Sequence, residues 1–327
     1  MQLQTLGDVH LERRFRTGVP LHRIGHREVM VWEQFYDEVM NPTGLLHVQM
    51  GDLFNEFSVS EATVLRAAAI YQEASIKNHG VRYVVIRGNH DAARDADKKS
   101  SFDVFKGLMK GYDNVEVMVE PTIRLIRGKA YGFMPWHPFK SSTELATELL
   151  DIIRTTHSTK FEAVFCHCDV KSYGGTDDNL IPLNVLKHRT NLVYTGHIHY
   201  PHEFEQDGVK VVVVGSMQPY AHGEDPVGDW YKTIGYDTLM HMTCTKVLKD
   251  VNVRVLISKN DDVFPEFDCL SCTTKKWEEA VDEEESEQVE LESFDMTALF
   301  KQSLAEHSVG TMVSEKILSK FSEKKHG

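Results

Sequence analysis

The 327-residue sequence is short of cysteine, has no long apolar run and carries no excess of basic residues. Its five cysteines, Cys166, Cys168, Cys244, Cys269 and Cys272, are odd in number and lack the spacing of a disulfide framework, which suits a reducing compartment. Cys269 and Cys272 form a lone C-x-x-C, and without a second pair a structural zinc site lacks half its ligands. No apolar stretch approaches the roughly 20 residues of a membrane helix, so no membrane association is expected. The opening MQLQTLGDVH has neither the basic leader nor the apolar core of a signal peptide, so a cytoplasmic location is expected, the host's cytoplasm if the chain is viral. Acidic residues outnumber basic ones 49 to 36, for a net charge of −13. That balance looks wrong for a nucleic-acid partner. However, EEAVDEEESEQVELE (278–292) holds nine acidic residues and no basic one. The rest of the chain is nearly balanced, so the overall charge does not exclude a DNA-binding body.

No repeat of solenoid or propeller period is present. Instead, short apolar runs alternate with helical periodicity. Strands are expected at 3–6, 45–50, 82–86, 115–119, 163–166 and 192–195. HEFEQDGVKVVVVGS reads as a hairpin turning at Asp207-Gly208. Helices are expected at 26–40, 60–78 and 142–156, two of them opened by capping boxes, Ser58–Glu61 and Ser141–Glu144. This alternation implies a layered α/β domain whose function lies beyond the carboxyl ends of its strands. That body is expected to cover 1–260, followed by a short connecting or cap segment at 261–277, the acidic linker at 278–292 and an amphipathic helix pair at 293–327.

The polar residues at the strand ends are of few kinds. GDVH follows the first strand, GD the second and RGNHD the third, while later strands deliver CHCD and GHIH. A single such group is usually structural, but five in order are hard to assign to chance. At a spacing of two, D-x-H and H-x-H put both side chains on one face if strand geometry continues. Carboxylate, imidazole and amide oxygen without thiolate suit Mn2+, Mg2+ or Fe2+. Seven ligands exceed what one open-sited ion needs and suit two ions sharing a carboxylate, with His197 and His199 serving one ion each.

The blocks D-x-H, G-D, G-N-H-D, a lone His and G-H-x-H, in order over residues 8–199, resemble the calcineurin-like metallophosphoesterase superfamily. The resemblance implies a four-layer α/β/β/α sandwich, here with a C-terminal helical extension. It implies Asp8, His10 and His199 on one cation, Asn89, His167 and His197 on the other, and Asp52 bridging. His90 is similar to the family's non-ligand histidine, which assists ester cleavage, and Asp91 is expected to orient it. Two divalent ions are implied, Mn2+ first and Mg2+ second. Within the superfamily, GDVHL and VVVVGSMQPYAHGE (211–224), with its downstream Glu, resemble the SbcD-type DNA repair nucleases, and the short length resembles their compact bacteriophage members. Glu12 stands where that family usually has Gly, and Cys166 where Gly commonly precedes the histidine, which bears on loop shape.

That resemblance implies a DNA exo/endonuclease subunit acting in recombination or repair with an SbcC-like coiled-coil ATPase, as a homodimer within a heterotetramer. Arg13, Arg14, Arg16, Arg23 and Arg27 follow the first metal motif and could track a DNA backbone. Leu299, Phe300, Leu304, Met312, Val313, Ile317, Leu318 and Phe321 mark the apolar faces of the C-terminal helix pair, expected to dock on the ATPase. His137, near another strand end, reads as structural or substrate-gating. Two rivals stand beside this reading. One is a metallophosphoesterase acting on a small phosphodiester or a phosphoprotein; the other is a non-catalytic scaffold, for which a full ligand set has no use.

Overall fold

In the computed structural model, residues 2–93, 95, 98–154, 160–174, 178–258 and 266–277 are described. The first third of the chain is a run of strand–helix–strand units. Strands β1 (Leu3–Leu6), β2 (Leu46–Gln49), β3 (Arg82–Ile86) and β4 (Val115–Met118) form a parallel sheet in that order. Between them run α1 (His26–Met40), α2 (Glu61–Lys77) and α3 (Ser101–Leu108). The apolar faces of these helices meet the sheet in a core that includes Phe35, Phe54, Tyr71, Phe102 and Phe105, all fully buried.

A second sheet follows, made of β5 (Thr122–Ile126), β6 (Lys129–Met134), β7 (Ala163–Cys166), β8 (Leu192–Thr195), β9 (His202–Gln206) and β10 (Val209–Val213). Its order is β5-β6-β7-β8-β10-β9, and α4 (Ser142–Arg154) and α5 (Leu183–Leu186) cover its outer face. Leu46, Val48, Val84 and Ile86 of the first sheet pack against Tyr131, Phe133 and Phe165 of the second. Phe133, Phe165 and Tyr194 stack across β6, β7 and β8 with centroids 5.2 Å apart. Helices, sheet, sheet, helices: the four-layer sandwich is present. The expected C-terminal extension lies outside the described residues, and among those residues no helix is long and apolar enough to cross a membrane.

Three local differences from the expected elements have physical causes. The β5–β6 hairpin turns at Arg127-Gly128, both at positive φ, and arginine is not a residue that announces such a turn. Helix α2 is capped by Ser60, not Ser58: the Ser60 hydroxyl accepts from the Thr63 N–H at 3.3 Å. The acidic half of that cap comes from the distant Glu12, whose carboxylate accepts from Ser60 N at 2.8 Å and Ser60 Oγ at 2.7 Å. Glu12 sits at φ 76°, so the left-handed turn that a glycine would make easily is here held by a residue that also closes a helix end. The Ser141–Glu144 box forms as read, with Ser141 N donating to the Glu144 carboxylate at 2.7 Å.

A third, all-parallel sheet of β11 (Tyr231–Gly235), β12 (Asn252–Ile257) and β13 (Ser271–Lys276) closes the described chain, with α6 (Tyr236–His241) beside it. β13 falls in the stretch read from sequence as a connector; its register with β12, from Asn252–Ser271 to Ile257–Lys276, places it inside a sheet. Two ties bind this sheet to the first third of the chain: Cys272 N donates to the Gly18 carbonyl at 2.7 Å, and Arg23 makes a paired salt bridge to Asp268 at 2.6 and 2.7 Å.

Candidate metal centre

The loops beyond the carboxyl ends of β1, β2, β3, β7 and β8 carry the five motifs. Strand geometry does not continue into them, contrary to the reading of D-x-H and H-x-H as one-faced pairs: β1 stops at Leu6 and β8 at Thr195. Of the six non-glycine residues at positive φ among the described residues, four lie in these loops: His10 (50°), Glu12 (76°), Asp52 (51°) and His197 (76°). Left-handed backbone costs a residue with a Cβ about 1–2 kcal/mol, and such strain persists where the surroundings over-determine it. Here the surroundings are backbone hydrogen bonds. Val9 N and His10 N both donate to the Asp52 carbonyl, at 3.1 and 2.9 Å, and His197 N donates to Asp8 Oδ2 at 3.0 Å. The glycines allow close approach: a Cβ on Gly88 would collide with the Asp52 carboxylate, and one on Gly196 with the Met50 carbonyl and Asp8.

The seven expected ligands come together in two groups that share one aspartate. Asp8, His10 and His199 form one, with His10 Nε2 3.1 Å from His199 Nε2 and His199 Nε2 3.6 Å from Asp8 Oδ2. Asp52, His167 and His197 form the other, joined by Asn89, whose Oδ1 lies 2.9 Å from His167 Nε2 and 2.8 Å from His197 Nδ1. Asp52 Oδ2 stands between the groups, 3.4 Å from His167 Nε2 and 3.8 Å from His10 Nε2. Its other oxygen accepts from His90 N at 2.9 Å.

Proton counting tests whether cations fit. His167 Nδ1 donates to the Met50 carbonyl at 2.8 Å, and His197 Nε2 faces Asp169 Oδ1 at 2.7 Å. In the neutral rings the remaining nitrogens, His167 Nε2 and His197 Nδ1, are lone pairs. Both point at the amide oxygen of Asn89, another acceptor. With both rings neutral, three acceptors meet with no proton between them and a cation fits; with His167 protonated, its Nε2–H makes the contact instead. In either case the site calls for positive charge, for which the N/O donor set suits a hard or borderline divalent ion. The electrostatics agree. Burial pushes Asp8 up to about 7, against the opposing pull of His167. Burial likewise drives His10 down to about 3. Burial works against charge on Asp52 and on His167, yet their mutual attraction prevails: Asp52 falls below the carboxylate range and His167 rises to about 10. The pocket stabilises positive charge near Asp52.

His90 is exposed at the rim, its ring edge-on to His10 at 4.8 Å. Its Nδ1 meets the Asn55 carbonyl at 2.7 Å, and one of its ring nitrogens lies within 4.8 Å of ligand atoms of His10 and Asp52. Asp91 does not stand behind it as expected. Asp91 is fully buried and accepts from the N–H groups of Leu53, Phe54 and Gly88 at 3.2, 2.9 and 2.9 Å. It therefore ties the Asp52 loop to the Asn89 loop. Its pKa, pushed up to about 7 by burial and then by Asp52, follows from that position.

The arginines divide. Arg23 is 7% exposed and engaged with Asp268, Asp250 and the Lys249 carbonyl. Arg27 is 3% exposed, donates to the Pro219 carbonyl and lies 4.1 Å over the Trp230 ring. Both hold the fold together and are withdrawn from the set of DNA contacts. Arg14 and Arg16 are exposed, and Arg13 lies 4.5 Å over the Tyr220 ring, next to His10 and His199. His137 accepts from Phe139 N and faces Glu120 at 3.5 Å, a local structural role. Cys269 and Cys272 are free thiols. The apolar residues from Leu299 to Phe321 lie outside the described residues.

Sequence reading missed Asp169 and the role of Glu224, which faces His199 Nδ1 at 3.1 Å. Asp169 sits in plain view at the end of CHCD, but only the tertiary structure aims it at His197.

The family profile of the calcineurin-like phosphoesterases matches residues 5–201. The chain belongs to that family of metal-dependent phosphoesterases. No curated protein matches it. Among solved structures it is similar to the phosphopantetheinyl hydrolase of Mycobacterium tuberculosis, at 11% identity over 67% of this chain and 93% of that one, with a TM-score of 0.42. It is also similar to the protein TT1561 of Thermus thermophilus, at 12% identity over 66% and 89%, with a TM-score of 0.45.

Proposed function

We propose that this chain is an SbcD-type DNA nuclease subunit, a two-cation phosphodiesterase with Mn2+ as the preferred metal. The observation that carries the hydrolytic reading is the pair of ligand groups sharing Asp52 Oδ2. When bound, the two cations polarise the phosphate and lower the pKa of the attacking water. Asp8, His10 and His199 would hold one, Asn89, His167 and His197 the other, and Asp52 both. His90 would give a proton to the leaving oxygen or hold the scissile phosphate.

Support for DNA comes from what surrounds the centre. Arg13 and Arg14 line a cleft of about 530 Å³ with Asn55, whose carbonyl holds His90. The segment 211–224, read as SbcD-like, runs from β10 to Glu224 and meets the centre at two points: Ser216 bridges to Asp8, and Glu224 meets His199. Action with an SbcC-like ATPase, as a homodimer within a heterotetramer, completes the proposal. One observation favours the alternative, a small phosphodiester or phosphoprotein substrate: the same cleft carries Glu12 and Glu56 beside the two arginines. Purified chain with Mn2+ separates the readings. Degradation of linear duplex DNA that weakens with added salt supports the nuclease; turnover of a cyclic nucleotide with DNA left intact supports the alternative. Co-purification and mass spectrometry test the ATPase.

A further inference from the structure

His197 and His199 stand two residues apart, yet they use opposite ring nitrogens. His197 turns Nε2 to Asp169 Oδ1, at 2.7 Å, and Nδ1 toward the Asn89 side. His199 turns Nδ1 to Glu224 Oε1, at 3.1 Å, and Nε2 toward His10 and Asp8. An ionised carboxylate only accepts hydrogen bonds, so the nitrogen that faces it must carry the proton.

We propose that Asp169 and Glu224 are positioning residues that lock these imidazoles in opposite tautomers, so that His197 offers its Nδ1 lone pair to one cation and His199 its Nε2 lone pair to the other. This rests on the two-cation reading of the centre. Both residues are themselves anchored, Asp169 through its backbone and Glu224 through its carboxylate. Around Asp169 the backbone pairs with a crossing segment: Asp169 N donates to the Asn179 carbonyl at 2.9 Å, and Ile181 N donates to the Asp169 carbonyl at 3.1 Å. Glu224 accepts from Tyr220 N through its second oxygen at 2.7 Å. The division explains how one H-x-H serves two ions. With His197 left-handed at φ 76° the two rings part, and each then needs its own carboxylate to choose the nitrogen it presents.

The test is nitrogen-15 NMR of histidine-labelled, metal-free full-length chain, together with Mn2+ titration calorimetry. The wild type should show His197 protonated on Nε2 and His199 on Nδ1. Asp169→Ala should leave His197 a mixture of tautomers, keep His199 unchanged, and weaken one of the two Mn2+ binding events by about 10–100-fold. Glu224→Ala should do the converse. Asp169→Asn retains a carbonyl acceptor and should restore the Nε2–H form of His197, which also covers an alanine variant that fails to fold. A wild-type His197 protonated on Nδ1, or an unchanged His197 tautomer in Asp169→Ala, overturns the proposal. Wild-type tautomers as stated, in a chain that takes up no Mn2+, would instead overturn the two-cation reading while the tautomer assignment stood.

Discussion

His90 and His47 show how far a histidine's role is set by its surroundings. His90 is exposed and held at Nδ1 by the Asn55 carbonyl, and although one of its ring nitrogens lies within 4.8 Å of ligand atoms of His10 and Asp52, the two groups that share Asp52 each have four donors without it. His90→Ala should therefore keep its bound Mn2+ while turnover falls about 10²–10⁴-fold, the usual scale for a lost proton-transfer group; metal analysis beside steady-state kinetics checks this, and parallel loss of metal would assign His90 to the ligands. His47, on β2, is fully buried beside Tyr83 with neither ring nitrogen hydrogen-bonded, and burial pushes its pKa down to about 4. Between pH 6.5 and 4 the unfolded chain takes up a proton that the folded one refuses. The neutral ring's contribution is thus intact above pH 6.5 and is lost as pH falls toward 4, by up to roughly 3 kcal/mol. Urea unfolding of wild type and His47→Leu in chelator at pH 7 and pH 4 should show the smaller acid loss in the variant. Equal losses would mean that His47 is protonated or solvated in the fold.

Among elements, the loops matter more than the strands they follow. Gly88 shows why: it touches no cation, but a methyl there would occupy the space of the Asp52 carboxylate. Gly88→Ala should weaken Mn2+ binding in calorimetry nearly as much as Asp52→Ala, though every ligand remains. Gly80→Ala, where a Cβ meets nothing within 4 Å, is the matched control and should bind normally. Asp91 works at the same scale. Its three backbone hydrogen bonds tie two ligand-bearing loops, which is why a residue inside G-N-H-D has a buried structural task and no direct hold on His90.

At the scale of the whole molecule, folding and cation binding are linked, because the ligands come from loops between residues 8 and 199 that meet only in the native state. Binding to the folded state alone stabilises it by about 2.7 kcal/mol when free ligand is 100 times Kd. Saturating Mn2+ should raise the melting temperature of the wild type and chelator should reverse the rise, whereas Asp52→Ala should show no shift. A wild type indifferent to Mn2+ in differential scanning calorimetry would contradict the linkage.

What the sequence alone determined was local chemistry in linear order: the five motifs, the parallel strand–helix alternation and the Asp207-Gly208 hairpin, each readable because apolar period and turn residues act over a few positions. Direction and burial were decided elsewhere. Nothing linear distinguishes Arg13 from Arg23; the partner Asp268, 245 residues away, buries one, while Tyr220 lies beneath the guanidinium of the other. Nothing linear sends Glu12 to cap α2 or turns Asp169 toward His197. Those contacts depend on where distant loops cross. Only packing of two sheets and their helices into one body fixes such crossings, since the side chains that meet there share no period and no neighbourhood in the chain.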